Sequence, residues 1–275
     1  MSITTEIVRL QNCVSNAYTA CNNKGATMPV TQNSDALPTT IQSISTSSND
    51  PDIIPKYSLN YVSGDYTAQK VIVIDVTNKF QDIDKISGGF QYAFFDSNYS
   101  TRRHITGNMN FANLKAVTAD MTWSFCNCEF DQNATVSFPL LEEITTTWNS
   151  TFSGTTNLAT VTFGALKTIT GRLTSTFSHG SSHIGEAVTS VTFPLLQTIG
   201  ANGSLLNAFG GSDITTMSFP SLTSIQNVDA FKIAFSLCDL LTEIHFKSSM
   251  QSVVENLTGY NTAFGATNAT IYFDL

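Results

Sequence analysis

The fold class this sequence predicts is a repeat solenoid, mainly β, preceded by a short N-terminal α-helical or coiled-coil segment. Three observations predict it. A Phe-centred apolar pattern recurs through residues 78–275, a strand-like dyad precedes most of its anchors, and a heptad-spaced apolar stripe lies near the N-terminus.

The repeat is read by aligning on Phe. With Phe111 as origin, Leu114, Val117 and Phe125 stand 3, 6 and 14 residues later. Phe138 carries Leu141, Ile144 and Phe152 at the same offsets, Phe163 carries Leu166, Ile169 and Phe177, and Phe80 carries Ile83, Ile86 and Phe94. Phe193 (with Leu196 and Ile199) and Phe219 (with Leu222 and Ile225) place the second Phe sixteen residues on, at Phe209 and Phe235. Phe246 keeps only Val253, one position late, before Phe264, and Phe273 opens an unfinished eighth unit. Self-similarity at this period means stacked supersecondary units.

The dyads Val136-Ser137-Phe138, Val161-Thr162-Phe163, Val191-Thr192-Phe193, Met217-Ser218-Phe219, Ile244-His245-Phe246 and Ile271-Tyr272-Phe273 put two apolar residues on one side of a strand. Pro139, Pro194 and Pro220 follow three anchors and end the strand, because Pro lacks the N–H a ladder needs. A lone unit buries too little apolar surface to offset the entropy of ordering it, so neighbours must supply the rest.

Composition narrows the function classes. Of 275 residues, 41% are hydrophobic, enough for a core, while 12% are charged, about half the usual share. A net charge of -8 argues against nucleic acid, which needs clustered Lys and Arg. No run of 18 apolar residues exists, so no membrane insertion is expected. The first residues lack a basic and then apolar secretion signal, so the chain is expected to stay in the cytoplasm, leave by lysis or have been trimmed. Five scattered cysteines resemble no disulfide framework, and Cys126-Asn127-Cys128 has no second pair at zinc spacing. No metal and no cofactor are expected.

The units resemble the BspA-like leucine-rich repeat of bacterial surface proteins. The resemblance rests on Phe219-Pro220-Ser221-Leu222-Thr223-Ser224-Ile225, then Ala234-Phe235 and Cys238. Ala93-Phe94, Ala208-Phe209 and Ala263-Phe264 repeat the dyad, and Cys128 follows Phe125 as Cys238 follows Phe235. The units are longer than that family's, and Phe stands where Ile is frequent. The resemblance implies cell-surface adhesion or partner binding and carries no catalytic residues.

Residues 3–24 read as a helix. Ile7, Val14 and Cys21 share one core position of a coiled-coil seam, and Ile3, Leu10 and Ala17 the other. Such a seam wants a partner, either further copies of the chain (dimer or trimer) or a docking surface; the alternative is a helix that caps its own solenoid. Leu37, Ile41 and Ile44 predict a second short helix. The expected organisation is a helical attachment segment over 1–45, a linker over 46–56, a β cap over 57–77 and the solenoid over 78–275. In the cap, Tyr57–Tyr61 and Val71–Ile74 form a strand pair. The first 45 residues look like a leader that recurs in virion proteins of phages infecting gut Firmicutes, which implies an attachment module carrying variable display domains.

No catalytic constellation is present: there is no nucleophile elbow, phosphate loop or dinucleotide fingerprint. His245 and Glu142-Glu143 read as solvated surface. Insertions in solenoids map to loops on one side, often the binding side. Two fall here, one with Tyr99, Arg102, Arg103 and His104, the other with His179 and His183. The alternative is a tolerated surface insertion. Between the +6 and +14 offsets lies a variable stretch with Trp123, Trp148, Arg172, Phe231 and Tyr260. Both Trp precede a Phe by an even number and are expected in the core; if exposed, they would form a stacking platform for sugar rings. The expected function is a non-enzymatic phage virion protein on the tail or capsid. It would bind a host-surface glycan or protein, with Tyr99, Arg102, Arg103, His104, Arg172, His179, His183 and Tyr260 as contact candidates. Its N-terminal helix would engage other virion proteins or itself. The alternative is a bacterial cell-surface or secreted adhesin.

Overall fold

The computed structural model describes residues 3–23, 29–37, 73–87, 90–95, 103–179, 187–266 and 268–275. The chain divides into two compact units, Met1–Asp50 and Pro51–Leu275. The expected helix through Ile41 and Ile44, the linker 46–56 and the strand Tyr57–Tyr61 lie outside the described residues.

In the first unit a helix, α1 (Ile3–Asn23), forms where the heptad spacing predicts one. Glu6 and Arg9 are paired one turn apart on its exposed face, with Nη2 2.6 Å from Oε1. Its C-terminal half is covered: Tyr18 and Cys21 are buried, and the Tyr18 hydroxyl donates to the Asn33 carbonyl at 2.8 Å. Its N-terminal half is not. Ile7 is 50% and Leu10 51% exposed, with Val8 beside them. Val14 and Ala17 are half-buried between these extremes.

The second unit is a parallel β-solenoid of about seven turns. Each turn has three sides. The first side stacks β1 (Val73–Asp75), β3 (His104–Thr106), β6 (Glu129–Ser137), β8 (Thr156–Thr162) and β10 (Ser190–Thr192) in order, with β4 (Met109–Asn110) also on β6. It continues with β12 (Thr216–Phe219), β14 (Glu243–Phe246) and β15 (Thr270–Phe273). These are the predicted dyads, stacked in register: Val136 on Val161 on Val191, and Met217 on Ile244 on Ile271. The strand expected at 71–74 appears as β1 and belongs to this stack, paired parallel with β3.

The second side is formed at the +6 offset by two-residue strands: β2 (Lys85–Ile86), β5 (Ala116–Val117), β7 (Glu143–Ile144), β9 (Thr168–Ile169), β11 (Thr198–Ile199) and β13 (Ser224–Ile225). β2 pairs with β5, and β7 through β13 form one parallel sheet. The last full turn replaces this strand with a 3-10 turn (Ser248–Met250) and one helical turn (Gln251–Val254). Met250 and Val254 supply the buried anchors there, and Val253, expected to be the anchor, is exposed. Within one helical turn the neighbouring residue points about 100° away, so a one-residue slip exchanges inside for outside.

Two columns of phenylalanine fill the core. Phe111, Phe138, Phe163 and Phe193 stack at 4.7, 4.9 and 5.2 Å between ring centres, with planes within 14°. Phe94, Phe125, Phe152, Phe177, Phe209 and Phe235 stack at 4.8, 5.2, 5.9, 5.7 and 5.1 Å. Rungs of a sheet repeat about every 4.8 Å. A planar ring at the same place in each rung therefore meets its copy in the offset-stacked range.

The third side carries the second Phe column and shows what the Ala-Phe dyad is for. The residue before the Phe lies under the preceding rung. It is Ala at positions 93, 208, 234 and 263, or a buried hydroxyl that finds a partner. Ser124 donates to the Phe90 carbonyl (2.8 Å), Thr151 to Met121 (2.9 Å) and Thr176 to Trp148 (2.5 Å). Three residues after the Phe, Cys128 donates to the Phe94 carbonyl (3.0 Å) and Cys238 to Phe209 (2.9 Å). The Phe-x-x-Cys spacing thus places a thiol under the neighbouring rung, and burial pushes the Cys238 thiol pKa up.

Candidate functional site

On the third side the backbone does not run as a strand. Two residues before the second Phe it steps into the left-handed region in six consecutive turns: Tyr92 (φ 58°), Trp123 (58°), Ser150 (52°), Ser175 (52°), Asn207 (50°) and Ile233 (47°). Rungs still bond here, as in Trp123 N–H to the Asn149 carbonyl (2.9 Å) and Ser150 N–H to the Thr174 carbonyl (2.8 Å). The left-handed step cancels strand alternation. The residue four before the Phe points in: Phe90, Met121, Trp148, Leu173, Leu205 and Phe231 are all buried. The residue two before points out. Trp148 is 0% exposed and packs edge-on against Phe138, with ring centres 5.5 Å apart, whereas Trp123 is 36% exposed. The expectation that both Trp share the core therefore holds for Trp148 and fails for Trp123, because the segment is not a strand.

This outer column is the candidate site. Left-handed backbone disfavours side chains that carry a Cβ, and Asn and other short polar residues tolerate it best. The middle of the column follows that rule with Ser150, Ser175 and Asn207, where Asn207 Nδ2 donates to Ser175 Oγ at 3.1 Å. Its first two members break the rule with Tyr92 and Trp123. The Trp123 ring is held against Tyr92 (centres 5.6 Å, planes 67°) and Phe95 (5.0 Å, 41°). At the far end Ile233 is exposed, with Leu237 and Leu240 exposed nearby in sequence. A small pocket of about 110 Å³, space for a few waters, opens beside the column among Ser153, Ser178, His179, Asn207 and Leu237.

Five of the eight expected contact residues are described. Arg103 is buried, and its Nη1 lies 3.4 Å from the Ala93 carbonyl. His104, on β3, is half-buried with Nε2 3.1 Å from Asp131 Oδ1, and the other carboxylate oxygen accepts the Gly107 N–H. His179 is buried with Nδ1 3.0 Å from the Thr155 carbonyl, so Nδ1 carries the proton. Arg172 is exposed on the third side, where its backbone bridges Thr147 and Ser204. Tyr260 is half-buried and packs on the core. Arg103 and His104 stand together at the start of the first side, away from Arg172 on the third. Tyr99, Arg102 and His183 lie outside the described residues. Alternation places Trp123 in the core, and its partners Tyr92 and Phe95 carry no mark in the sequence. Aligning the position two before each second Phe would have shown Ser, Ser and Asn, a turn signature.

His245, on the outward side of β14, sits between Asp274 (Nδ1 to Oδ1 2.8 Å) and Glu243 (Nε2 to Oε2 3.3 Å) and stacks on Tyr272. The Asp274 hydrogen bond raises its pKa above the usual histidine value, against a smaller opposing effect of burial. Among the described residues no helix is long and apolar enough to cross a membrane, and no three His, Cys, Asp or Glu side chains gather round one metal position. Comparison with protein-family models, curated proteins and solved structures found no match for this chain.

Proposed function

We propose that this chain is a non-enzymatic display protein of a bacteriophage particle, attached to tail or capsid through α1 and binding a host-surface glycan or protein through the solenoid. The observation that carries the reading is a division of apolar surface. In the solenoid the periodic apolar side chains are covered, while Ile7 and Leu10 of α1 are half exposed on the predicted seam. A helix with an uncovered apolar stripe fits an attachment device, and a solenoid whose irregular side chains face outward fits a display scaffold. We place self-association, as dimer or trimer, on Ile3, Ile7, Leu10, Val14 and Ala17. Cys21, at the same heptad position, is buried already.

The finer kinship we propose for the solenoid is the BspA-type leucine-rich repeat, supported by Phe219-Pro220, Leu222, Ile225, Ala234-Phe235 and the under-rung thiol of Cys238. That kinship also favours a second reading, a bacterial surface or secreted adhesin. Neighbouring tail or capsid genes would support the virion reading, and a cell-wall anchor in the native reading frame the adhesin. Attachment by self-association is tested in the full chain by sedimentation equilibrium. The wild type is expected as a dimer or trimer and the Ile7→Asp/Leu10→Asp double variant as a monomer. A monomeric wild type at micromolar concentration sinks the self-association.

A further inference from the structure

We infer that the outer column from Tyr92 to Asn207 is a binding strip for a neutral oligosaccharide, with one sugar ring stacked on the exposed face of Trp123. The inference rests on the display reading above and deepens it by naming the ligand class and its location.

Three observations carry it. The first is the misfit of Trp123 to its own backbone. Its equivalents in the next three turns are Ser150, Ser175 and Asn207, which suit a left-handed position, whereas a bulky ring there is an outlier. Strain of this kind persists where the surroundings hold it and is concentrated at binding sites. The second is preorganisation. Tyr92 and Phe95 lie against the indole at 5.6 and 5.0 Å, so the ring is held before any ligand arrives.

The third is the chemistry that follows Trp123 along the column. One rung on is Ser150, whose hydroxyl meets Asn149 Oδ1 at 3.2 Å; then come Ser175 and Asn207, bonded to each other. All are half-buried, so part of each faces solvent. An aromatic face followed by hydroxyls and amides at rung intervals matches a chain of sugar rings. Each ring offers an apolar C–H face to an aromatic and hydroxyls to polar neighbours. One rung step is about 4.8 Å, comparable to one sugar ring. The four steps from Tyr92 to Asn207 span roughly 19 Å on that spacing.

The lack of charge selects a neutral ligand. The column from Tyr92 to Asn207 holds no ionised side chain, and the exposed charges that flank it three residues before Trp123 and Ser175, Asp120 and Arg172, are of opposite sign. Here the aromatic cluster gives way along the column to Ser and Asn.

Only two tryptophans are present, and Trp148 is fully buried, so iodide-accessible fluorescence reports Trp123. The full chain is titrated with maltohexaose, cellohexaose, mannohexaose, chitohexaose and, as the acidic probe, hyaluronan hexamer. At least one neutral hexaose is expected to protect Trp123 from iodide. Calorimetry with that sugar is expected to show binding weakened about tenfold or more in Trp123→Asn. Trp123→Phe, which keeps an aromatic face, is expected to retain most of the affinity. Protection by no neutral hexaose, response to the acidic probe alone, or equal affinity in Trp123→Asn would each overturn the strip. The display reading is scored separately by binding of labelled protein to intact bacteria before and after periodate or protease treatment of the cells. Cell binding that resists periodate and is lost after protease overturns the sugar strip and leaves display standing.

Discussion

Trp148 and Trp123 occupy places two residues apart in successive turns of one repeat, and they meet opposite environments. Trp148, four before its Phe, fills the core between Phe138 and Phe163. Trp123, two before its Phe, stands on the outside beside Tyr92. Hydrophobicity does not separate them, since the residue type is the same. The difference lies in a left-handed backbone step that recurs in every one of these turns. In this solenoid the fate of a side chain is decided by its column, and residue type follows the column where no other demand intervenes. Trp123 is a position where type and column disagree.

The largest expected effect lies inside. Trp148→Ala removes a fully buried ring packed against Phe138 and Phe163 and should cost about 3–5 kcal/mol, read as a fall in the chemical denaturation midpoint. Gly171→Ala comes next. A Cβ there would lie 2.0 Å from the Thr146 carbonyl oxygen, which is backbone and cannot swing aside, so about 2–3 kcal/mol is expected. Thr176→Val keeps the volume but removes the donor to the Trp148 carbonyl, for about 1–2 kcal/mol. If Trp148→Ala proved no worse than Thr176→Val, the column argument would fail at its strongest point.

The inner columns were legible because a period acts on them directly. Phe at +0 and at +14 or +16, Leu or Ile at +3 and Val or Ile at +6 face the same places in the first six turns, so burial selects the same class of residue each time. The Ala-Phe and Phe-x-x-Cys spacings were visible, but their cause was not, because it is a hydrogen bond to the neighbouring rung. Val253 was misread because the last turn exchanges a strand for a helical turn, which leaves too few residues to show a period. The candidate site was hardest to see. Its mark is the backbone's left-handed step, which Ser and Asn advertise and which Tyr92, Trp123 and Ile233 conceal.

Trp123→Asn sharpens the contrast with Trp148 from the outside. The change relieves about 1–2 kcal/mol of left-handed strain and loses about 0.5–1.5 kcal/mol of ring contact with Tyr92 and Phe95. The two nearly cancel, so stability should stay within about 1 kcal/mol of wild type on these terms. A loss as large as that of Trp148→Ala would show that Trp123 is a structural member and that its exposure is incidental.

The smallest effect concerns the outward side of β14, where His245 alternates with the inward Ile244 and Phe246. His245 joins the last two rungs by its contact with Asp274, and that carboxylate raises its pKa in the fold. The charged groups bonded to His245 are Asp274 and Glu243. A group with a raised folded pKa stabilises fully below its unfolded pKa, near 6.5 for histidine, and the contribution is lost as pH rises through the folded value. The stability gap between wild type and His245→Gln should therefore be largest at about pH 5 and shrink steadily above neutrality. Both carboxylates are about half exposed, so salt should shrink the gap further. A gap that widened with pH would mean that neutral His245, stacked on Tyr272, holds the last rung and that its charge does not.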